Sequence, residues 1–230
     1  MIKQLTLASL LTCASLCAST ITATLGDIQT NVTVTRTISN SAVGPTTPTS
    51  VAVGLIAFTL SSGETFYTYC VEPQQATGAV GTVTTFTVDP TLRLAPGNVG
   101  GMSGTQVAAL LLALGQVANP FDPGLSALDQ AAMQVALWEI TRENVASTYS
   151  ISSGNVTMTN ASLSGVLARA ESFLDAVNKG IGTPYAAGRV NAWINADRQD
   201  MLVQVPVPEP WSLPLLGAGL VAMGMFRRRK

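Results

Sequence analysis

Two side chains in this sequence have the chemistry to react with one another. Cys70 sits in the stretch Phe66-Tyr-Thr-Tyr-Cys-Val-Glu72, and the other two cysteines, Cys13 and Cys17, lie near the N-terminus in a segment that reads as a leader. Once the leader is removed, Cys70 is a lone thiol in an exported chain. Disulfides need pairs, and an unpaired exported cysteine is open to oxidation. Its partner is therefore expected to be something other than sulfur. Gln134 is the best candidate. Ala131, Gln134, Val135 and Trp138 share one helix face by their i, i+3, i+4, i+7 spacing, and that face is apolar except for Gln134. Burying an amide without partners costs a few kcal/mol. Two readings meet that cost: a hydrogen-bonded core glutamine, or a carboxamide attacked by the Cys70 thiol with loss of ammonia, which leaves a thioester.

Other chemistries are closed off. The chain contains no histidine, so Ser-His and Cys-His catalysis and histidine metal sites are excluded. One remaining cysteine cannot build a thiolate zinc site. Hydrophobic residues make up 47% and charged residues 11%, which is neither a disordered nor a nucleic-acid-binding composition. Five of the 12 basic residues lie at the two ends, so the body between them is acidic and should avoid nucleic acid and anionic membranes. The acids Glu64, Glu72, Asp89 and Asp122 show no spacing that marks a glycosidase pair. The glycine-rich stretch Gly97 to Gly104 lacks the lysine of a P-loop. No cofactor is expected.

The elements that must position Cys70 and Gln134 are readable in outline. Val32, Val34 and Ile38 alternate with threonines as in a half-buried strand. Val51 to Leu60 reads as a second strand, Thr65 to Val71 as a third carrying Cys70, and Thr82 to Val88 as a fourth. The period then changes. Gln106 to Val117 reads as a buried helix. Ser126, with Asp129 three residues on, opens a second helix that runs to about Asn144. Leu163 to Lys179 reads as a third. Tyr149 to Thr159 reads as a hairpin, and Arg189 to Ile194 and Asp200 to Val205 as returning strands. The expected class is α+β: an antiparallel β-sandwich or barrel (about 27–95 and 185–205) with an inserted helical subdomain (about 105–180).

The two ends read as targeting segments. Lys3, an apolar run from Leu5 to Ala18 and small residues after it form a secretory signal peptide over 1–23, with cleavage after Ala18, Ser19 or Ala23. At the other end, over 206–230, Pro208-Glu209-Pro210 precedes an uncharged run from Trp211 to Phe226 and a basic cluster, Arg227, Arg228, Arg229 and Lys230. The run is short for a stable span. This arrangement resembles the PEP-CTERM sorting signal of Gram-negative bacteria. The resemblance implies a short transmembrane sorting helix, a transient stay in the inner membrane, processing by an exosortase, and delivery to the cell surface or extracellular matrix, as in bacteria that make exopolysaccharide.

The body carries a second resemblance. Tyr69-Cys70-Val71-Glu72 followed by Gln134-Val-Ala-Leu-Trp138 resembles the thioester domain of Gram-positive surface adhesins. The likeness spans roughly 27–205 and is sharp at these two motifs, with Gln199-Asp-Met-Leu-Val203 similar to the closing strand. It implies that Cys70 supplies the sulfur and Gln134 the acyl carbon, that Trp138 shields the bond, that Tyr69 walls the site, and that Glu72 orients backbone or relays a proton. Two departures bear on formation and reactivity: Met133 stands where threonine usually precedes the glutamine, and Glu72 where aspartate is commoner. The expected function is covalent attachment to amine or hydroxyl groups, in adhesion or matrix cross-linking, in a single turnover and so not as an enzyme. Lys179 is the only lysine of the body, which limits self-quenching. The alternative is a non-covalent matrix protein with an unpaired thiol.

Overall fold

The computed structural model describes residues 19–39, 47–93, 101–143 and 148–205. Both targeting segments, residues 1–18 and 206–230, lie outside these, and with them Pro208, Glu209, Pro210 and the terminal arginines. Among the described residues no helix is long and apolar enough to cross a membrane.

The chain is α+β. Its strands are β1 (Thr20–Ile28), β2 (Thr33–Ile38), β3 (Thr49–Ala52), β4 (Ile56–Leu60), β5 (Thr65–Cys70), β6 (Val83–Asp89), β7 (Val156–Thr159), β8 (Val190–Ile194) and β9 (Met201–Gln204). Its helices are α1 (Gly104–Leu114), α2 (Ala127–Arg142) and α3 (Val166–Asn178). Six strands close an antiparallel barrel in the order β1-β4-β5-β9-β8-β6, and β3-β2-β7 form a separate three-stranded sheet. The alternation of apolar and threonine positions sets the pleat. In β6, Thr84 and Phe86 are buried while Val83, Thr85 and Thr87 face out. Phe58 meets Phe86 edge-on at 5.5 Å, and Phe66 and Trp193 complete the aromatic filling.

Closure by antiparallel pairs fixes the direction of every strand. β1, β5 and β8 run one way, and β4, β6 and β9 the other. The described chain therefore enters β1 and leaves β9 at the same end of the barrel. Cys70, the last residue of β5, lies at the opposite end.

Three expectations change. The boundary at residue 23 falls inside β1, whose Ala23 is buried and paired with Leu60 and Thr84, so the barrel begins at Thr20 rather than near 27. Thr20 to Thr24 pass for leader because they continue its apolar, small-residue character. The single strand expected over 51–60 is two strands in different sheets. Gly54 separates them at φ 137°, a conformation that favours glycine, and a Cβ there would stand 2.7 Å from Thr30 Oγ1. The hairpin expected over 149–159 carries one regular strand, β7, which pairs with β2 and turns back on its own segment through a single bond, from the Met158 N–H to the Ile151 carbonyl at 2.8 Å. Its neighbours Tyr149 to Ile151 are held by side chains of the helices.

The helices pack against one another, and α2 lies at their centre, against α1, α3, β5 and β7. Ser126 caps α2 by accepting from the Asp129 N–H. Ser103 and Gln106 cap α1 reciprocally, so the glycine-rich stretch ends in a helix cap. From Gln130 to Arg142 every residue of α2 is buried. The amphipathic face read from the sequence is part of a helix enclosed on all sides.

Candidate functional site

An enclosed helix that carries Gln130, Gln134, Glu139, Thr141 and Arg142 must satisfy each of them internally. It does so in part, by gripping the surrounding segments, while Gln130 Oε1 and Glu139 Oε2 keep no hydrogen-bond partner. Gln130 donates to the Pro123 and Leu125 carbonyls. Glu139 accepts from the Ser150 N–H. Thr141 donates to the Val71 carbonyl at 2.9 Å. Arg142 meets Glu72 at 3.5 Å. Gln134, with 0% exposure, reaches Cys70.

The Gln134–Cys70 contact occupies a gap in the barrel wall. On one side Cys70 faces Met201 of β9. On the other, β4 pairs with β5 only as far as Thr68, and the backbone of Cys70 has no strand beside it. The Gln134 carboxamide stands in for one. Its Oε1 accepts from the Cys70 N–H at 3.1 Å, and its Nε2 donates to the Cys70 carbonyl at 2.5 Å. The same Oε1 lies 3.6 Å from Cys70 Sγ. The thiol thus lies beside the carboxamide, and the Cys70 N–H bonds the oxygen on which negative charge would develop if the sulfur attacked the amide carbon.

Burial pushes the Cys70 thiol up to about 12; its own backbone N–H, the Trp138 indole and the Arg36 charge act the other way, and Glu72 adds to the rise. Trp138 lies one turn after Gln134, is buried, and its Nε1 has no full hydrogen bond. Its effect on Cys70 is that of a nearby N–H dipole. Both residues line a pocket of about 320 Å³ at this end of the barrel. Tyr69 is elsewhere. Strand alternation turns it to the other face, where it donates to the Pro120 carbonyl at 2.9 Å and packs on Phe121. It anchors the helical layer to β5 and does not wall the pocket.

Glu72 is part of a buried charge cluster behind Cys70. Its carboxylate meets Arg142 and accepts from the Asp200 N–H at 3.2 Å, while its carbonyl accepts from Gln199 Nε2 at 2.9 Å. Burial raises the Glu72 pKa against the opposing Arg142 charge, and burial lowers Arg142 to about 10. In both partners desolvation outweighs the pairing. Glu72 therefore fixes the turn after Cys70 to β9 and α2. Thr141, Arg142, Gln199 and Asp200 were not singled out from the sequence as site residues. Extending the Gln134–Trp138 stripe by one more turn reaches Thr141 and Arg142 and would have marked both. Of the remaining acids, Asp89 and Asp122 accept from turn N–H groups and Glu64 is exposed. Among the described residues no cluster of three or more acidic or cysteine side chains is arranged to hold a metal ion.

Two buried carboxyls give the fold an acid-side stability. Burial, reinforced by Glu72, raises Asp200 from 3.8 to about 7. Burial, reinforced by Glu143 and Glu171, raises Glu139 from 4.5 to about 8. Each folded-state value exceeds the unfolded one, so the folded state binds more protons over that range. The stabilisation is complete near pH 4 and is lost as pH rises through 7 to 8. Thermal melts are expected to show a Tm several degrees higher at pH 5 than at pH 8.5. Glu139→Gln should reduce that difference.

Comparison of the chain with family models, curated proteins and solved structures returned no match.

Proposed function

We propose that this is an exported surface or matrix protein that joins itself to a target through a thioester between Cys70 and Gln134. One observation carries the reading: the Gln134 carboxamide rests on Cys70 with Oε1 3.1 Å from the backbone N–H and 3.6 Å from Sγ. Attack of sulfur on the Gln134 Cδ forms the C–S bond, the C–N bond breaks, and the thiol proton leaves with the amide nitrogen as ammonia. A later amine or hydroxyl on the target takes the acyl group and releases the Cys70 thiol.

The sorting of the protein is part of the same proposal. A signal peptide cut after Ala18 or Ser19 leaves β1 whole, whereas a cut after Ala23 would divide it. The Pro208-Glu209-Pro210 segment, the apolar run 211–226 and the basic end would hold the chain in the inner membrane until an exosortase releases it to the surface or matrix.

A second reading is favoured by the same contact. The two hydrogen bonds from Gln134 satisfy a buried amide without any covalent step, which suits a non-covalent matrix protein with an inert thiol. Intact mass separates the two. The wild-type chain is expected to weigh one ammonia less than calculated and to gain one methylamine on treatment, while Cys70→Ala and Gln134→Ala match their calculated masses. A wild-type mass equal to the calculated one, with a thiol that alkylates on unfolding, would sink the thioester.

A further inference from the structure

The pocket over Cys70 contains hydrogen-bonding groups that the protein itself leaves unused. The amide oxygens of Gln74, Gln75 and Gln199 are shut off from solvent and have no partner, and all three residues line the pocket. Gln199 is 7% exposed and its orientation is fixed, because its Nε2 is committed to the Glu72 carbonyl. Buried acceptors without donors are uncommon and costly. A ligand that opens the contacts covering them and brings donors would relieve them.

One charge narrows the class. Arg36, 8% exposed, lines the same pocket and makes no ion pair among the described residues. Its field reaches Cys70. A lysine ammonium brought to the site would face this cation, while Glu72 and Asp200 are already engaged with Arg142 or backbone N–H groups. An anion would face three carbonyl oxygens instead. A neutral group rich in hydroxyls meets neither penalty. Its hydroxyls donate to the glutamine oxygens and accept from Arg36 and the Trp138 N–H, while Ile28, Ile56 and Pro73 supply apolar lining. At about 320 Å³ the space is at the small end for ligand pockets.

We propose that the pocket takes a neutral carbohydrate, and that one of its hydroxyls is the acceptor of the Gln134 acyl group. The step rests on the thioester reading above. A C–O ester bond forms at the Gln134 Cδ, the C–S bond breaks, and the hydroxyl proton passes to the Cys70 sulfur.

The test incubates the full chain separately with isomaltotriose, cellotriose, chitotriose, N-acetyl-lysine amide and methylamine, and reads adducts on Gln134 by mass. At least one trisaccharide is expected to add about tenfold faster than the lysine amide. Gln74→Leu and Gln75→Leu should lower the ratio of trisaccharide to methylamine rates about tenfold, and Arg36→Gln should raise the lysine rate. If methylamine adds but the lysine amide outpaces all three sugars, the carbohydrate assignment is overturned and the thioester stands. If methylamine does not add, the thioester is lost, and sugar titration of Cys70→Ala by tryptophan fluorescence decides the pocket. Saturable quenching that Gln74→Leu weakens keeps the neutral-ligand assignment without the covalent step; no response to any of the three removes it.

Discussion

Cys70→Ser is expected to cost the chain about 4 kcal/mol of stability, although serine fits the same space and can donate to the same Gln134 oxygen. The size comes from the proposed cross-link. Cys70 and Gln134 are 64 residues apart, and tying a loop of that length removes about 4 kcal/mol of unfolded-state entropy in the chain-entropy account developed for disulfides. Without a thioester, the exchange of a thiol for a hydroxyl at a satisfied site should cost under about 1 kcal/mol. Gln134→Ala is expected to cost more than Cys70→Ser. It loses the cross-link and also leaves the Cys70 N–H and carbonyl buried without partners, at about 1–3 kcal/mol each. Urea unfolding of the three proteins side by side measures both effects. A small loss for Cys70→Ser beside a large one for Gln134→Ala would show the glutamine to be a hydrogen-bonding strut and nothing more.

Arg142→Met should destabilise the chain by about 3–5 kcal/mol. The guanidinium is buried against Glu72 with the Asp200 charge also acting on it, and its removal leaves two buried carboxyls without that cation. Both already lean toward the protonated form through burial. The variant's deficit should therefore shrink as pH falls and these groups take up protons. Arg142→Met combined with Glu72→Gln should recover much of the loss, because the pair contributes little net stability once both members are gone. A double variant as unstable as the single one would place the effect in methionine packing rather than in stranded charge. The cluster also holds the turn after Cys70, so methylamine uptake by Arg142→Met should slow along with the loss of stability.

How far the sequence leads depends on whether a feature is local. The start of α2 is legible because Ser126 and Asp129 form a cap within four residues. Strands β5, β6 and β8 are legible because each is a short β-prone run ended by a turn, and β9 because Met201, Leu202 and Val203 form a short apolar run. β1 is hidden because its first residues continue the composition of the leader, and only the pairing with β4 and β6 reveals it. The division of 51–60 is hidden because the decision rests on Gly54 against Thr30, a contact between segments. Cys70 and Gln134 stand out for their types, a lone thiol and a polar residue on an apolar face. Arg142, Asp200 and Gln199 do not, since a charge or an amide near the end of an element looks like solvated surface until the fold encloses it. Tyr69 shows the opposite limit. The resemblance of its motif implied a place in the wall of the site, but the pleat of a strand sends Tyr69 and Cys70 to opposite faces.

The strand directions have a mechanical consequence. The described chain leaves the barrel along β9 at one end, and Cys70, Gln134 and their pocket are at the other. Suppose the protein is held by its C-terminal side and bonded to a target through Gln134. Tension then pulls on β9 along its own axis. β9 lies between β5 and β8, and its inter-strand bonds run across the direction of pull. They resist together, in shear, and cannot open one after another as in a peeled hairpin. A barrel threaded in this order would carry load between its C-terminal end and the end that holds Cys70 and Gln134.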